Sequence, residues 1–505
     1  MLSKNAYLWY SCMVIANTMI LYGYDSSTFN AVQGSKNWQK YFHEPDPNVI
    51  GSVNTAYTVG GIVAGLFFSA PISDRWGRKI AIIVGCLVVI IATFVSTFTP
   101  RHIGGYIGGR ALVGIGQGIA LPAGPVYISE LAPSTTRGKI MSFWQMNFSV
   151  GSFMAYWSAA RLGDWDWKTV MICHIAPVLI IANIWHVPES PRWLVQKDRT
   201  EDALAALQRL RDSPEDIEFE MQEMHHAMAF EKEAISGAYM PLWTDKTVRY
   251  RLMLAIVLNV GQQLTGQGSL NNYSTIIYKK VFSDNSQIQL INALNGTFGI
   301  LFTLNATWTV DRFGRRFLFL VGAAGMAVSM LVAAAVVTET PEYAGGAKSR
   351  SVGITTVFLM FLFAFFFKPS WGAVTWIWIG EVFSMNVRSQ AVAISAQSQN
   401  VANAVLQQVF PLFLAKKGFY AMYLFFGINI VLFVFVWYMI PETKNKTLET
   451  MDVLFGGVNH ADKGVMMEED GKVQELTENI ELVESRKSHD AEQIKQAGAT
   501  KEIKV

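Results

Sequence analysis

Asp74-Arg75-Trp76-Gly77-Arg78-Lys79 is a run with four charged residues between two long apolar segments. The segment 50–71 before it is rich in Gly, Ala and Val, and the segment 80–98 after it contains no charged residue. A helix of about 20 apolar residues spans the roughly 30 Å of hydrocarbon in a bilayer. The charged run is therefore predicted to be a tight aqueous turn between two membrane helices. Gly77 suits such a turn because glycine tolerates positive φ angles.

The same pattern recurs as Asp311-Arg312-Phe313-Gly314-Arg315-Arg316. One copy alone would also fit an ordinary basic loop on the cytoplasmic side of a membrane. Two further sets recur with it, namely Glu130 with Arg137 and Glu381 with Arg388, and the triplets Pro188-Glu189-Ser190 and Pro441-Glu442-Thr443. The chain is therefore predicted to use one unit twice, and repeated halves are a known way to build transporters.

The composition favours a membrane protein. Of 505 residues, 51% are hydrophobic and only 16% are charged, whereas about a quarter are charged in typical globular proteins. The net charge of +2 gives no support for nucleic-acid binding, which needs a clustered basic face. The sequence shows no nucleophile–base motif, metal-ligand spacing or phosphate loop, so we predict neither an enzyme nor a cofactor or metal site.

Apolar segments predict an all-α membrane protein with twelve transmembrane helices in two pseudo-symmetric six-helix bundles. The predicted spans are about 7–30, 50–73, 80–98, 104–130, 138–160, 168–187, 250–279, 288–310, 317–338, 353–383, 389–415 and 419–440. The predicted domains are a first bundle at 1–191, a cytoplasmic linker with short amphipathic helices at 192–249, a second bundle at 250–445, and a largely disordered cytoplasmic tail at 446–505.

The distribution of Lys and Arg predicts the orientation. Basic residues crowd the loops between helices 2 and 3, 4 and 5, 6 and 7, and 8 and 9, which places these loops and both termini in the cytoplasm. The bias is imperfect, because Lys279, Lys280, Lys416 and Lys417 fall on the opposite side.

Asp25 is a carboxylate in the middle of the first span, and Arg110 lies near the start of the fourth. Ionisable residues within membrane helices are functional candidates by default. The two could form a purely structural ion pair between helices. Alternatively, Asp25 is a proton site, because burial raises the pKa of a carboxylate and a nearby arginine lowers it, so that protonation can follow solvent access.

A second polar cluster runs from Gln262 to Ser274. Amides both donate and accept hydrogen bonds, which suits hydroxyl-rich ligands, and the glycines of the run favour a local break in the helix. Contacts between helices explain one or two such amides but not the whole run. The candidate substrate residues are Gln145, Gln262, Gln263, Gln267, Asn272, Trp376, Gln399 and Asn400. A tryptophan such as Trp376 or Trp378 can also be merely interfacial.

These residues give the chain a specific resemblance. It resembles members of the sugar porter family of the major facilitator superfamily, and fungal members in particular. The resemblance covers both halves, from about residue 20 to 450. It rests on Asp74–Lys79, Gly109-Arg110, Glu130-Leu131-Ala132-Pro133 with Arg137-Gly138, the run Pro188 to Leu194, Gln262 to Gly266, Asp311–Arg316, and Pro441-Glu442-Thr443-Lys444.

The resemblance implies roles for matching positions. Gln145, Gln262, Gln263 and Gln399 would bind sugar hydroxyls, and Trp376 would pack against the ring. Asp25 would be the protonatable residue of proton-coupled members, with Arg110 as its partner. Cytoplasmic salt bridges that stabilise the outward-facing state would involve Asp74, Arg75, Arg78, Glu130, Arg137, Glu189, Arg192, Asp311, Arg312, Arg315, Glu381, Arg388 and Glu442.

Three positions depart from the family pattern. Gly268 stands where an Asn is usual, Gly299 stands at the usual Asn of the eighth span, and Lys368 occupies a position in the tenth span that is often Glu or neutral. An ordinary glucose specificity is therefore not expected.

The predicted function is uptake of a sugar or related polyol by proton symport and alternating access. The partners would be the sugar, protons and the lipid bilayer, and the chain would act as a monomer in the plasma membrane. Two alternatives remain at this stage. A facilitative uniporter would lack only a working Asp25, and a non-transporting sugar sensor would rely on its cytoplasmic tail.

Overall fold

The computed structural model describes residues 3–162, 166–173, 176–234, 243–282, 284–341, 349–383, 385–444 and 455. Residues 3–444 of this set belong to one compact unit. The predicted tail at 446–505 lies outside the described residues, except for Phe455.

The first half contributes six long helical segments. They are α1 (Lys4–Gln33), α2 (Pro47–Trp76), α3 (Arg78–Phe98), α4 (Ile103–Leu131), α5 (Ser134–Leu162) and α6 (Trp167–Ile172 with Ala176–Ile184). Three shorter helices follow in the linker, at Pro191–Gln196, Thr200–Leu210 and Pro214–Ala234. Short helices thus occur where the sequence predicts a linker.

The second half also contributes six segments. They are α7 (Lys246–Leu264, Gln267–Asn272 and Ser274–Lys279), α8 (Asn285–Phe313), α9 (Arg315–Glu339), α10 (Arg350–Phe367, a π-turn at Lys368–Gly372, then Ala373–Val382), α11 (Met385–Lys417) and α12 (Tyr420–Met439). Within the described ranges all regular structure is helical, and the predicted all-α fold with twelve spans is confirmed.

Glycine makes both charged turns possible. Gly77 between α2 and α3 has a φ of 97°, and Gly314 between α8 and α9 has a φ of 88°. Residues other than glycine rarely adopt such a positive φ angle. The two copies of the motif therefore form equivalent turns, as the sequence predicts.

The twelve helices differ in polarity. Seven are long and apolar enough by composition to cross a membrane, namely α2, α3, α4, α6, α9, α10 and α12. The other five, α1, α5, α7, α8 and α11, include the helices that carry Asp25, Gln145, Gln263 and Gln399. Polar residues in a bundle face its interior rather than lipid. We therefore expect these five helices to line a polar interior.

The most extensive contacts between the halves run along α5 with α8 and α2 with α11, and α1 also contacts α7. Close packing fixes α1 against α5 within the first half. A Cβ atom at Gly23 would lie 2.1 Å from the carbonyl oxygen of Phe148, and one at Gly151 would lie 2.2 Å from that of Ile20. Glycine at such contacts lets helix backbones approach closely. This packing holds Asp25 on α1 near the helix that carries Gln145.

Candidate functional site

Helix α7 is broken near its centre. The first piece ends at Leu264, and the second begins at Gln267 after Gly266, whose φ is 97°. A Cβ atom at position 266 would lie 2.7 Å from the ring of Phe425 on α12. Both the positive φ and the close packing therefore require glycine. The predicted break is confirmed, and it lies within the run of amides.

Gln262 joins three helices. Its side-chain nitrogen donates to the carbonyl oxygen of Trp371 on α10 at 2.7 Å, and its amide oxygen accepts from Gln399 on α11 at 2.8 Å. The residue is only 4% exposed. Both ends of the amide are thus occupied by protein groups, so Gln262 braces α7, α10 and α11 in this conformation.

Gln263 is different, although it is the next residue. Its side chain is half-buried and forms no hydrogen bond within the described part of the chain. Its Oε1 atom lies 3.0 Å from the place where a Cβ atom on Gly268 would stand. An amide that the protein leaves unbound offers both a donor and an acceptor to a ligand hydroxyl.

A small cavity lies beyond the break, between α7, α8 and α10. Its polar lining includes Gln267, Asn271 and Asn295. The sequence prediction names Asn272, but Asn271 is the residue that lines this cavity, and the main-chain oxygen of Asn272 accepts from Gln33 on α1 at 2.7 Å. A helix turns by about 100° per residue, so neighbouring residues after the break face different sides.

The other predicted substrate residues have accessible side chains. Gln145 is exposed on α5, Trp376 is 41% exposed on α10, and Asn400 on α11 donates to Gln397 at 3.4 Å. Trp378, in contrast, is fully buried. The structure joins Gln262 to Gln399 directly, and no hydrogen bond among the described residues connects Gln145 or Trp376 to that pair.

Asp25 is buried in α1, with 4% of its surface exposed. Its carboxylate accepts a hydrogen bond from Nε2 of Gln117 on α4 at 2.5 Å. Arg110, also on α4, donates to the main-chain carbonyl of Asp25 at 3.2 Å and lies over the ring of Tyr57, 4.8 Å from its centroid. The structure thus brings the predicted pair together, with the arginine bound at the backbone of Asp25 and stabilised by a cation–π contact.

Gln117 is absent from the sequence prediction. It lies seven residues after Arg110, so both fall on the same face of α4 two turns apart. The signal was present in the sequence, because Gln117 is an amide in a largely apolar span, flanked by Gly116 and Gly118. The argument applied to the amides of α7 would have selected it.

Lys368 connects three helices from both halves. Its Nζ atom donates to Oγ of Ser149 on α5 at 3.2 Å and to the main-chain oxygen of Gly299 on α8 at 3.1 Å. A Cβ atom at position 299 would lie 2.7 Å from this Nζ atom. Two of the predicted departures from the family pattern, Gly299 and Lys368, are therefore neighbours in space.

The turn of the first half is held by two carboxylates. Arg78 donates from Nε and Nη2 to Glu130 on α4, each at 3.0 Å, and Ser190 donates to the same carboxylate at 2.5 Å. Glu189 accepts from the backbone nitrogen of Lys79 at 3.3 Å, at the first turn of α3, where a carboxylate is favoured by the helix dipole. Burial raises the pKa of the Glu189 carboxyl, and backbone hydrogen bonds from Ser190 and Lys79 oppose that rise.

The turn of the second half repeats this arrangement. Arg315 donates to Glu381 on α10 from Nε at 3.2 Å and from Nη2 at 2.6 Å, and Thr443 donates to the same carboxylate at 2.8 Å. Glu442 accepts from the backbone nitrogens of Arg315 at 2.8 Å and Arg316 at 3.0 Å. A Cβ atom at Gly314 would lie 2.7 Å from this carboxylate, so the glycine also admits the capping Glu442.

Other members of the predicted network lie at the periphery. Asp74 pairs with Arg78 at 3.4 Å, with 63% of the Asp74 side chain exposed. Arg75 and Arg312 are exposed, and each guanidinium lies over the next ring, that of Trp76 at 5.9 Å and that of Phe313 at 5.8 Å. Arg192 is also exposed. The side chains of Arg137, Asp311 and Arg388 lie outside the described part of the structure.

A set of hydrogen bonds joins the halves at the end opposite the charged turns. Asn30 on α1 donates to Ser274 on α7 at 2.7 Å, Gln289 on α8 donates to the carbonyl of Ala31 at 3.2 Å, and Gln408 on α11 donates to Asn48 at 2.6 Å. The interface between α1, α7 and α8 is thus closed by polar groups at this end.

Comparison with known proteins identifies the family. A family model described as "Sugar (and other) transporter" matches residues 11–455. The chain belongs to this family. The resemblance in the sequence is therefore confirmed, and the chain is a multi-pass membrane transporter of the major facilitator superfamily, not an enzyme.

Curated relatives of this family member include fungal permeases. It is 30% identical to a probable quinate permease of Aspergillus flavus over 482 residues, which cover 90% of this chain and 89% of the relative. It is 28% identical to the quinate permease of Emericella nidulans over 509 residues, with coverage of 95% and 93%. The family and these names agree with the transport of sugars or polyols.

Solved structures of the same fold include the xylose transporter XylE from E. coli. Its inward-open conformation superposes with a TM-score of 0.73 at 25% identity, covering 88% of this chain and 98% of that chain. The proton:xylose symporter XylE bound to 6-bromo-6-deoxy-D-glucose superposes with a TM-score of 0.71 at 24% identity, covering 90% and 100%.

Proposed function

We propose that this transporter carries a polyhydroxylated small molecule together with protons, by alternating access. The observation that carries the proton part is the buried carboxylate of Asp25, which meets Gln117 and the backbone-bound Arg110 in the interior of the first half. An ionisable group in the interior of a membrane helix bundle is a functional candidate because its burial is costly. A change in solvent access on conformational change would therefore load or release a proton at Asp25.

Alternating access is supported by where the contacts between the halves lie. Asn30, Gln289 and Gln408 close the interface at one end, while the pairs of Arg78 with Glu130 and Arg315 with Glu381 hold the turns within each half at the other. In the proposed orientation, the first set of contacts would close the outer side. Opening that side would break the first set, so the two states would differ in hydrogen bonds that a substrate can bias.

The substrate class is supported by the amides of the second half. Gln263 is half-buried and unbound by the described protein, and Gln267, Asn271 and Asn295 line a cavity beside the break in α7. Discontinuous helices place polar groups at the binding sites of transporters. The similar proteins are named for quinate and xylose. Both molecules have several hydroxyl groups, which such amides can bind.

We further propose that the transporter works as a monomer in the plasma membrane with both termini in the cytoplasm. The positive charges of the turns at Arg75–Lys79 and Arg312–Arg316 support this orientation. The proposed divisions are a first bundle at 1–191, a linker at 192–249, a second bundle at 250–445 and a tail at 446–505.

Uptake by the purified full chain in proteoliposomes tests this proposal. Labelled xylose, myo-inositol and quinate would be offered with and without an inward proton gradient, and with a protonophore as the control. We expect at least one of them to accumulate above its outside concentration only while the gradient lasts. Uptake that merely equilibrates and ignores the gradient would indicate a uniporter, and binding without flux would indicate a sensor; either result contradicts proton symport.

A further inference from the structure

Lys368 is a cation within a membrane helix whose described partners are both neutral. Its ammonium group has three donors, and the structure shows two hydrogen bonds, to the hydroxyl of Ser149 and the carbonyl of Gly299. No carboxylate among the described residues forms an ion pair with it. Charged groups at this depth are costly and are normally paired, so the site has a positive charge to be balanced.

Gly299 is part of the same site. A Cβ atom there would lie 2.7 Å from Nζ of Lys368, closer than non-bonded atoms tolerate. Any larger residue at position 299 would displace the ammonium from its present place. The glycine therefore creates the space in which the head of Lys368 lies, and the two positions form one structural unit.

This unit adjoins the polar cavity. Asn295 lies one turn before Gly299 on α8, and Ala364 lies one turn before Lys368 on α10; both line the cavity with Gln267 and Asn271. Residues four apart on a helix are neighbours on one face. The Lys368 side chain is partly accessible, and it follows by one helical turn a residue that lines the amide-rich cavity.

Ser149 connects the unit to the first half. It lies one turn after Gln145 on the same face of α5, and Gln145 is exposed. A ligand between Gln145 and the amides of α7 would therefore meet the ammonium of Lys368 as well as neutral donors and acceptors.

We infer that Lys368 binds a carboxylate of the substrate, so that the transported molecule is a polyhydroxylated carboxylate rather than a neutral sugar. The inference rests on the proposed function and specifies its substrate class. The carboxylate supplies the counter-charge that the described protein lacks, and it accepts the third hydrogen bond of the ammonium. The amides of α7 and α8 bind the hydroxyl groups of the same molecule.

Binding of matched pairs of probes to the purified full chain tests this inference. The pairs are quinate with its methyl ester, gluconate with sorbitol, and galacturonate with galactose, so each pair differs in its carboxylate. For at least one pair we expect the wild type to bind the acid about ten- to a hundredfold more tightly, the range for a hydrogen-bonded charge. Equal or tighter binding of the neutral member in every pair would overturn the inference without any variant.

Variants assign the preference to Lys368. We expect Lys368→Met to lose the preference for the acid and to keep its affinity for the neutral probe, and Lys368→Arg to retain part of the preference. Lys417→Met, the same change at an exposed lysine of α11, should behave as the wild type. A preference that survives in Lys368→Met would leave Lys368 as a structural tether between α5 and α8, and the inference would be wrong.

The outcome also separates this inference from the proposed function. Proton-driven uptake of sorbitol or galactose with no preference for an acid would contradict only the carboxylate site. Uptake of acids that ignores the proton gradient would contradict the symport proposal and leave the carboxylate site standing.

Discussion

At the two charged turns, the halves of this transporter are nearly the same, and in their interiors they are not. Arg78 meets Glu130 in the first turn as Arg315 meets Glu381 in the second, and Glu189 and Glu442 cap the following helices alike. Inside the membrane, the first half holds the buried carboxylate of Asp25. The second half holds unbound amides and the cation of Lys368.

We interpret this difference as a shared role for the two turns and separate roles for the two interiors. We propose that the turns have the same mechanical role in each half, which agrees with their matching residues and geometry. Under the proposed function the interiors perform different chemistry: the first would bind a proton, and the second would bind hydroxyl groups and a carboxylate. Changes to the turns should therefore act alike in both halves, whereas changes to the interiors should affect separate properties.

The largest effect is expected from Asp25→Asn, which removes the titratable group and keeps the size of the side chain. Accumulation against a gradient should be abolished, while exchange of labelled for unlabelled substrate should continue. Asp46→Asn is the matched control, because Asp46 is exposed and its side chain caps no backbone group. Normal accumulation by Asp25→Asn in the proteoliposome assay would exclude a proton role for this carboxylate.

Substitutions of the two adjacent glutamines of α7 should change different properties, one the substrate affinity and the other the thermal stability. Gln263→Ala should weaken affinity about five- to a hundredfold, since each lost hydrogen bond costs about 1–3 kcal/mol. Gln262→Ala should instead lower thermal stability, because it leaves the Gln399 amide without its described partner and removes the bond to the Trp371 carbonyl. Affinity and melting temperature would be measured on the same preparations, and the same change in both variants would remove the distinction.

Changes at the turns should shift the balance of conformers. Arg78→Ala and Arg315→Ala each remove contacts worth about 1–2 kcal/mol. Because the family resemblance implies that these pairs stabilise the outward-facing state, the ratio of states should move roughly five- to thirtyfold away from that state. The Arg78 effect should be larger, because Glu130 is 11% exposed and Glu381 is 29% exposed.

The measurement for the turns is the labelling rate of an engineered Gln397→Cys on the inner part of α11. Labelling should rise in both arginine variants. Arg75→Ala and Arg312→Ala are the controls, since these side chains lie exposed over neighbouring rings. Equal responses from all four variants would show that total charge, and not the carboxylate pairs, controls the conformers.

The smallest effect is expected at the tryptophans of α10. Trp376→Ala should weaken substrate affinity roughly three- to tenfold by removing an accessible ring. Trp378→Ala should leave the affinity of the folded protein almost unchanged, because this ring is fully buried; it should reduce stability through the cavity it leaves. Competition binding at matched amounts of folded protein distinguishes them, and a greater loss of affinity in Trp378→Ala would move the site.

The sequence predicted the features that repeat or obey local rules. The spans follow from apolar length, the turns from the recurrence around Gly77 and Gly314, and the break in α7 from its glycines. It did not predict which amide meets Asp25, because this depends on how α1 crosses α4. The sequence also did not predict the contact between Gly299 and Lys368. Each residue departs from the family pattern on its own, and only the packing of α8 against α10 brings the two together.

The choice of Asn272 shows a related difficulty. In an unbroken helix, the direction in which residue 272 faces could be counted from Gln262. The break at Gly266 changes that direction, and Asn271 lines the cavity instead. The sequence locates such a break without giving the angle across it.

The most direct test of the account is the proton flux that accompanies transport. A pH-sensitive dye inside proteoliposomes would report the internal pH when an unlabelled substrate is added outside without a pre-set gradient. We predict internal acidification with the wild type, and none with Asp25→Asn even though that variant still exchanges substrate. Acidification that persists in Asp25→Asn would contradict the assignment of the proton site to the interior of the first half.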